Sequence, residues 1–378
     1  MNEFDFTILG GGLFGVYTAI YLAKKNFKVC LIEKEKALFT KASVINQARL
    51  HEGYHYPRSK ATASMSQYHK GKFNKDHAAF INTQYESFYG IDKFDSVIND
   101  VEFEKFCREI KIPATRIDHF RLFNEASFQA LYRTQEYSFD PIKLSRYYIE
   151  KIRSSDNITI LTATQMLTAE NLTDKWKIDF QVLDDVKIQT IITSAVVNAT
   201  YSGINGINAI FGLSSIGLFY ELSELAFIKS EALQNTSLTI IDGPFASYAP
   251  YGLSGLITLS SVPFTHHKKS LDVMPTFDCQ LLNHQCKPDF IYNCNMCSAA
   301  PMSNHEKMLD QIKKYLTQDV PIDYVSSSYA IKAKLVSSTN DDSRPTELIK
   351  LSTRPGFYCL FSGKINSIYE VDKIFSTL

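Results

Sequence analysis

The sequence predicts an α/β protein in which a parallel sheet is joined to a second, antiparallel sheet. Three observations predict it. The stretch "EFDFTILGGGLFGVYTAIYLAKKNFKVCLIEKE" reads as strand, glycine turn, helix, strand. Much later, "SAVVNATYSG" (Ser194–Gly203) is an apolar run that ends in a turn of small residues. From Ser237 onward, "SLTIIDGPFASYAPYGLSGLITLSS" sets alternating apolar residues between Asp-Gly-Pro and Tyr-Gly turns, the pattern of hairpins.

The first element is Phe4 to Leu9, a short apolar run of the kind a buried parallel strand requires. Gly10, Gly12 and Gly15 follow in G-x-G-x-x-G spacing, with Leu13 and Phe14 opening a helix whose periodicity continues from Val16 to Lys25. Lys28 to Ile32 is a second strand, and Glu33 stands at its end with Lys34 next. Gly10 permits the tight turn, Gly12 lets backbone approach a pyrophosphate seated on the helix N-terminus, and Gly15 lets helix and strand pack closely. Glu33 suits both hydroxyls of a ribose. Strand, helix and terminal acid together make this a Rossmann-like dinucleotide fingerprint rather than a bare glycine turn. It leaves NAD and FAD open. An N-terminal fingerprint ahead of a long mixed α/β chain favours FAD. So does Val196–Thr200, which resembles the second nucleotide-side strand of glutathione-reductase-type flavoproteins, with Tyr201 in place of a glycine.

The loop after the second strand, "SVINQARLHEGYHYPRS", gathers two histidines, two arginines and two tyrosines around Gly53. Ser43, Asn46, His51 and Gly53 fit the form S-x-x-N-x-x-x-x-H-x-G. On these residues the chain resembles the D-amino-acid oxidase superfamily of FAD enzymes, most closely its L-2-hydroxyglutarate oxidase branch. The resemblance covers the first sixty residues best. "YSFDPIKLSRYYIEKI" (Tyr137–Ile152), Val196–Thr200 and the final "FSGKI" follow more loosely. It implies that this loop runs from pyrophosphate to flavin ring. Ser43, Asn46 and Gln47 would then hold the cofactor with Thr200, and His51, Tyr54, His55 and Tyr56 would line ring or substrate. Residues alternating along an extended segment point to opposite sides, so about half of these aromatic groups belong to packing or solvent instead.

Beyond the loop, Phe73 to Arg108 and Ser145 to Ser155 are patterned as helices. Ile158–Thr164, Lys175–Leu183 and Val186–Ile192 read as strands, which the resemblance makes a meander. The hairpins after Ser237 would roof the flavin, with Tyr248, Tyr251 and His266 as pocket candidates. In "DDSRPTE", Arg344 is the candidate anchor for a substrate anion. A turn with Arg344 paired to Asp341 or Asp342 is the alternative. In "GFYCLFSGKINSIY", a strand meets Gly363, Lys364 and Ile365 before a helix, which the family turns toward the flavin. The expected FAD-binding domain comprises residues 1–60, 136–215 and 330–378, and the substrate domain 61–135 and 216–329.

Composition narrows the function. Lys+Arg and Asp+Glu both number 40, so no charge excess draws the chain to nucleic acid or an anionic membrane. Met1–Asp5 carries no basic residue, so no secretory leader and a cytoplasmic location are expected. Ile188–Tyr220 is uncharged, but its asparagines and glycines read as strand, turn and helix rather than a membrane span. In such a compartment cysteines serve as thiols or metal ligands rather than disulfides. Cys279, Cys286, Cys294 and Cys297 fall within nineteen residues, and the Cys-x-x-Cys end fits one side of a structural Zn²⁺ site remote from the flavin. An iron–sulfur cluster or a loop of unpaired thiols are the alternatives.

The expectation is therefore an FAD-dependent oxidoreductase that moves a hydride from a C–H beside an amine or hydroxyl to the flavin. His51 would act as base, and Arg344 would grip a small anionic substrate. A flavin-binding protein without turnover and an NAD-linked dehydrogenase are the rival readings.

Overall fold

The computed structural model describes residues 2–58, 60–183, 185–338 and 345–376. β1 (Asn2–Leu9), α1 (Leu13–Lys24) and β2 (Val29–Ile32) form the expected opening unit. All four residues of β2 are buried, as they must be in a strand covered on both faces.

The organising strand of the first sheet is Ile188–Asn198. Its C-terminal half pairs in parallel with β1 on one side and with Gly356–Phe361 on the other, in the registers Leu9 with Asn198 and Ala195 with Gly356. Its N-terminal half pairs antiparallel with Trp176–Val182. β2 lies beyond β1, and Ile158–Leu161 pairs in parallel with β2. The sequence reading differs at two points here. Val186–Ile192 and Val196–Thr200 are parts of one strand, because nothing between them breaks an extended chain. Ile158–Leu161 belongs to the parallel sheet, and the meander is instead made by Thr164–Asn171, Trp176–Val182 and the long strand.

One face of this sheet buries Phe6 and Ile8 against α1 and the helix Pro141–Arg153. That helix starts four residues before the expected Ser145. Asp140 caps it by accepting from the backbone N–H groups of Ile142 and Lys143, and Pro141 fits the first turn, where its missing N–H costs nothing. The other face buries Phe4, Val196 and Phe357 with the helix Ile204–Ile210.

The second sheet has nine strands and is antiparallel except where Thr236–Ile241 runs parallel to Glu86–Asp92. The hairpins expected after Ser237 are present as Thr236–Ile241, Ala246–Pro250 and Ile257–Ser261. The continuous helical patterning read from Phe73 to Arg108 is corrected. Helices span Lys70–Asp76 and Asp100–Glu109, and the strand Glu86–Asp92 lies between them. Its "SFYGI" core favours a pleated, packed surface, and Gly90 sits where a Cβ would come within 2.5 Å of the Phe128 ring. Among the described residues no helix is long and apolar enough to cross a membrane.

Candidate active site

A cavity of about 1160 Å³ runs from the end of β1 and β2 to the hairpins of the second sheet. That volume exceeds the roughly 300–1,000 Å³ typical of a site for one drug-sized ligand, so it suits a dinucleotide together with a small substrate.

At the nucleotide end, Gly10 has φ +104°, and a Cβ there would lie 2.8 Å from the Ala199 carbonyl oxygen. A Cβ on Gly15 would meet the Gly10 carbonyl oxygen at 1.9 Å. These two glycines are demanded by backbone packing, and Gly15 does not line the cavity. Gly12 is different. It is extended, and the nearest atom a Cβ would meet is the Ser43 hydroxyl at 3.0 Å. The space before it belongs to the cavity, which Gly10, Gly12, Leu13 and Phe14 line where α1 begins. Glu33 is held in place, accepting from the Gly11 N–H at 2.5 Å and from the Glu35 N–H at 2.8 Å. This glycine cradle at a helix N-terminus, with a fixed acid beside it, fits a dinucleotide.

The loop after β2 supports that end. Ser43 accepts from the Leu13 N–H at 2.9 Å. Asn46 spends its amide on the loop itself, donating to the Ala42 and Ser43 carbonyls and accepting from the Ala48 N–H. Gln47 reaches across to the Ser260 hydroxyl at 2.6 Å. All three line the cavity, as do Lys34, Thr200, Gly363, Lys364 and Ile365. The Lys364 ammonium lies 3.8 Å from the centre of the Tyr56 ring.

The polar end was only partly foreseen. His51 and His55 line the cavity, their rings 5.6 Å apart. Tyr54 does not. It is fully buried among Tyr89, Phe103 and Phe106 and donates to the Pro113 carbonyl at 2.5 Å. The turn at Gly53, with φ +112°, carries Tyr54 into the packed interior while His55 and Tyr56 stay on the cavity, so the expected catalytic part for Tyr54 gives way to packing. Tyr248 and Tyr251 are likewise buried outside the lining, bonded to Thr236 and the Val44 carbonyl respectively. His266 does line it. Arg344 lies outside the described residues.

Sequence reading missed Glu136 and Arg49. Arg49–Leu50 pairs antiparallel with Tyr137–Phe139, Leu50 facing Tyr137, so the next pair along sets Glu136 opposite His51. The His51 Nδ1 stands 3.3 Å from Glu136 Oε1, and Tyr89 donates to Oε2 at 2.8 Å. Arg49 Nη1 is 4.0 Å from Oε2 and donates to Thr239 at 2.5 Å. Burial alone favours a neutral carboxyl at Glu136, but His51 3.3 Å away and the charges around it, Arg49 included, hold it down to about 2. Burial pushes the His51 imidazole down to about 4, with Lys364 adding to the effect and Glu136 opposing it. His55 is also driven well below its ordinary value by burial. Near neutral pH the site thus presents an anionic Glu136 beside a neutral His51. The carboxylate favours the tautomer with its proton on Nδ1, which leaves Nε2 as the basic nitrogen. Among the described residues, Arg49 Nε and His55 Nδ1 are buried with no hydrogen-bond partner, and both side chains line the cavity.

The metal expectation finds no support. Cys279, Cys286, Cys294 and Cys297 do come together, around a cavity of about 20 Å³ that Leu222, Phe277 and Ile331 also line. Yet among the described residues no three His, Cys, Asp or Glu side chains are grouped so as to hold a metal ion. Burial and the neighbouring thiols push the Cys294 thiol up to about 12 and raise Cys279. The sulfurs accept hydrogen bonds from the protein instead, Cys286 from the Tyr292 N–H and Cys297 from the Asn283 amide. They serve as small, packed hydrophobes.

Cavity, cradle and fold together define a dinucleotide-binding protein. Residues 5–211 match the family model described as DAO, FAD dependent oxidoreductase, and the chain belongs to that family. Of the two dinucleotides left open by the fingerprint, FAD is the one this family uses. FAD-dependent monooxygenase FPY4 of Fusarium mangiferae is 22% identical over 373 residues, which is 98% of this chain and 89% of the relative. Glycine oxidase from Geobacillus kaustophilus superposes with a TM-score of 0.69 at 14% identity, covering 98% of this chain and 92% of that one. NikD, an amino acid oxidase of nikkomycin biosynthesis, does so with a TM-score of 0.71 at 11% identity, covering 99% and 93%. At such identities the structural likeness shows the fold. The narrower likeness to the L-2-hydroxyglutarate oxidase branch rests on the loop motif alone.

Proposed function

We propose that this oxidoreductase removes a hydride from a C–H bond adjacent to an amine or hydroxyl of a small anionic molecule, the residues around His51 handling the proton. The observation that carries the reading is the buried Arg49–Glu136–His51 group at the far end of the same cavity that holds the dinucleotide cradle. FAD, when bound, accepts the hydride. Every other task falls to the chain. Gly10, Gly12, Leu13 and Glu33 hold the dinucleotide, and Lys364 brings positive charge to the polar end. Neutral His51 takes the proton of a substrate hydroxyl, or leaves an amine to bind unprotonated. Glu136 fixes the tautomer and steadies the imidazolium that results. Arg49 Nε and His55 are donors in want of an acceptor, which favours a carboxylate or similar anion. The overall charge balance of the chain, with no membrane-crossing helix among the described residues, fits a small-molecule substrate.

An anaerobic screen of amino acids, 2-hydroxy acids and amino sugars tests the reading, since a substrate bleaches the yellow protein. If no compound with a C–H beside nitrogen or oxygen reduces it, the reaction is wrong. The full-length relative is called a monooxygenase, so product analysis in air distinguishes a dehydrogenated product from an oxygenated one.

Two expected results bear on individual residues. Arg49→Lys keeps the charge but removes the Nε donor, so the KM for an anionic substrate should rise about tenfold with kcat little changed. An unchanged KM would place the anion elsewhere. Lys364→Met removes a positive charge from the cavity, so bound flavin should become harder to reduce, with a more negative potential in titration against a reference dye. A potential that stays put or moves positive would dismiss that role.

A further inference from the structure

The cysteine-rich stretch is built against the nucleotide end of the large cavity. Asp289 to Cys294 contribute lining there, together with Glu33, Lys34, Thr164 and Gly206. Two contacts fix the stretch to the Rossmann-like unit. Lys34, the residue after the acid at the end of β2, donates its ammonium to the Ile291 carbonyl and stands 4.6 Å from the centre of the Phe290 ring. Gly206, in the helix Ile204–Ile210, lies so near that a Cβ would be 2.8 Å from the Asp289 carbonyl oxygen. A third contact ties the stretch to the second sheet, where Asn295 accepts from the Tyr329 N–H at 2.6 Å and donates to the Tyr329 carbonyl at 2.9 Å. The four-thiol cluster lies directly behind this wall, and Cys294 lines both cavities.

We infer that the segment Phe290–Cys294 is a wall of the adenosine half of the FAD site, clasped by Lys34 and backed by the packed cysteines, and that it governs how long the cofactor stays bound. The inference rests on the FAD reading above. In a dinucleotide fold the acid closing the second strand meets the adenosine ribose, so whatever packs beside Glu33 and Lys34 faces that half of the cofactor. Glycine cradle and helix N-terminus hold the pyrophosphate but leave the base without cover. Phe290 and Tyr292 supply aromatic surface, the chemistry that takes up a nucleobase. The cysteines give the wall shape in a stretch with few large apolar residues, where packed thiols replace the missing aliphatic core.

The test compares flavin release from the purified holoprotein and its Phe290→Ala variant, followed by the rise of flavin fluorescence on dilution. The variant should release FAD about tenfold faster, the order of effect expected from losing one aromatic surface beside a base. FMN, which lacks the adenosine, should bind wild type and variant alike. Equal FAD release, or an equal loss of FAD and FMN binding, would overturn the inference. Cys294 gives an independent measure on the unaltered chain. Alkylation by iodoacetamide, located by mass spectrometry, should be several-fold slower at Cys294 with FAD bound than in flavin-stripped protein, while Cys107, which lines neither cavity, reacts alike in both. Equal rates at Cys294 count against the wall. A wild-type protein that retains no flavin at all would instead overturn the functional reading, and this inference with it.

Discussion

Gly12→Val should yield a folded but colourless protein. The backbone at Gly12, φ −80° and ψ 179°, is one any residue adopts, so valine brings no strain of the kind that Gly10 at φ +104° would impose. Within the protein its Cβ meets only the Ser43 hydroxyl, which can give way. The new methyl groups project instead into the cavity at the start of α1, where backbone N–H groups and the helix dipole await a pyrophosphate. Displacing it forfeits at least two hydrogen bonds to a charged group, about 1.5–3 kcal/mol each. That amounts to a fall in FAD affinity on the order of 10²–10⁴-fold. Circular dichroism should match wild type while the visible flavin absorbance vanishes. Full yellow colour would show that the pyrophosphate lies elsewhere.

His51→Ala should stay yellow and reduce its flavin about 10²–10⁴-fold more slowly, the usual cost of losing a positioned base. The pH dependence identifies the mechanism more sharply than the rate. Burial holds the wild-type imidazole near 4, so its basic form is already complete at pH 6 and the rate falls only as the pH drops through about 4. An unperturbed histidine would show its limb near pH 6.5. Glu136 raises the His51 value against burial, so Glu136→Gln should push the limb lower still while slowing reduction through loss of the tautomer. Arg49 in that variant keeps its bond to Thr239, which preserves the local fold. Reduction kinetics unchanged in both variants would sink the catalytic reading of this cluster.

How much of this is legible in the sequence depends on the range of the cause. The cradle was legible because each glycine answers a local demand, at Gly10 a positive φ and at Gly15 contact with a neighbouring turn. The hairpins after Ser237 were legible through alternation and turn residues. Glu136 was not, because its significance comes from strand pairing with a segment eighty-five residues earlier, and a single glutamate before "YSFD" carries no periodic mark. The strand Glu86–Asp92 was lost for a related reason, as neighbours on both edges override the weak local preference of "ESFYGID". Tyr54 and His55 are adjacent, and only the actual direction of the chain decides which faces the cavity. The cysteine spacing marks a cluster, and the four thiols do line one small cavity, but nearness in sequence does not fix the geometry a metal ion needs.

One consequence concerns the order of events during synthesis on the ribosome. The strand Ile188–Asn198 takes β1 on one flank and Gly356–Phe361 on the other, and the turn after the latter brings Gly363, Lys364 and Ile365 to the cavity. A nascent chain that has emerged only to the helix Ile204–Ile210 already owns the entire glycine fingerprint, yet one edge of its parallel sheet is open and its cofactor channel has no far wall. The far wall of the channel is thus complete only once residues 356–365 have left the exit tunnel, and until then the half-made protein presents an unpaired strand edge.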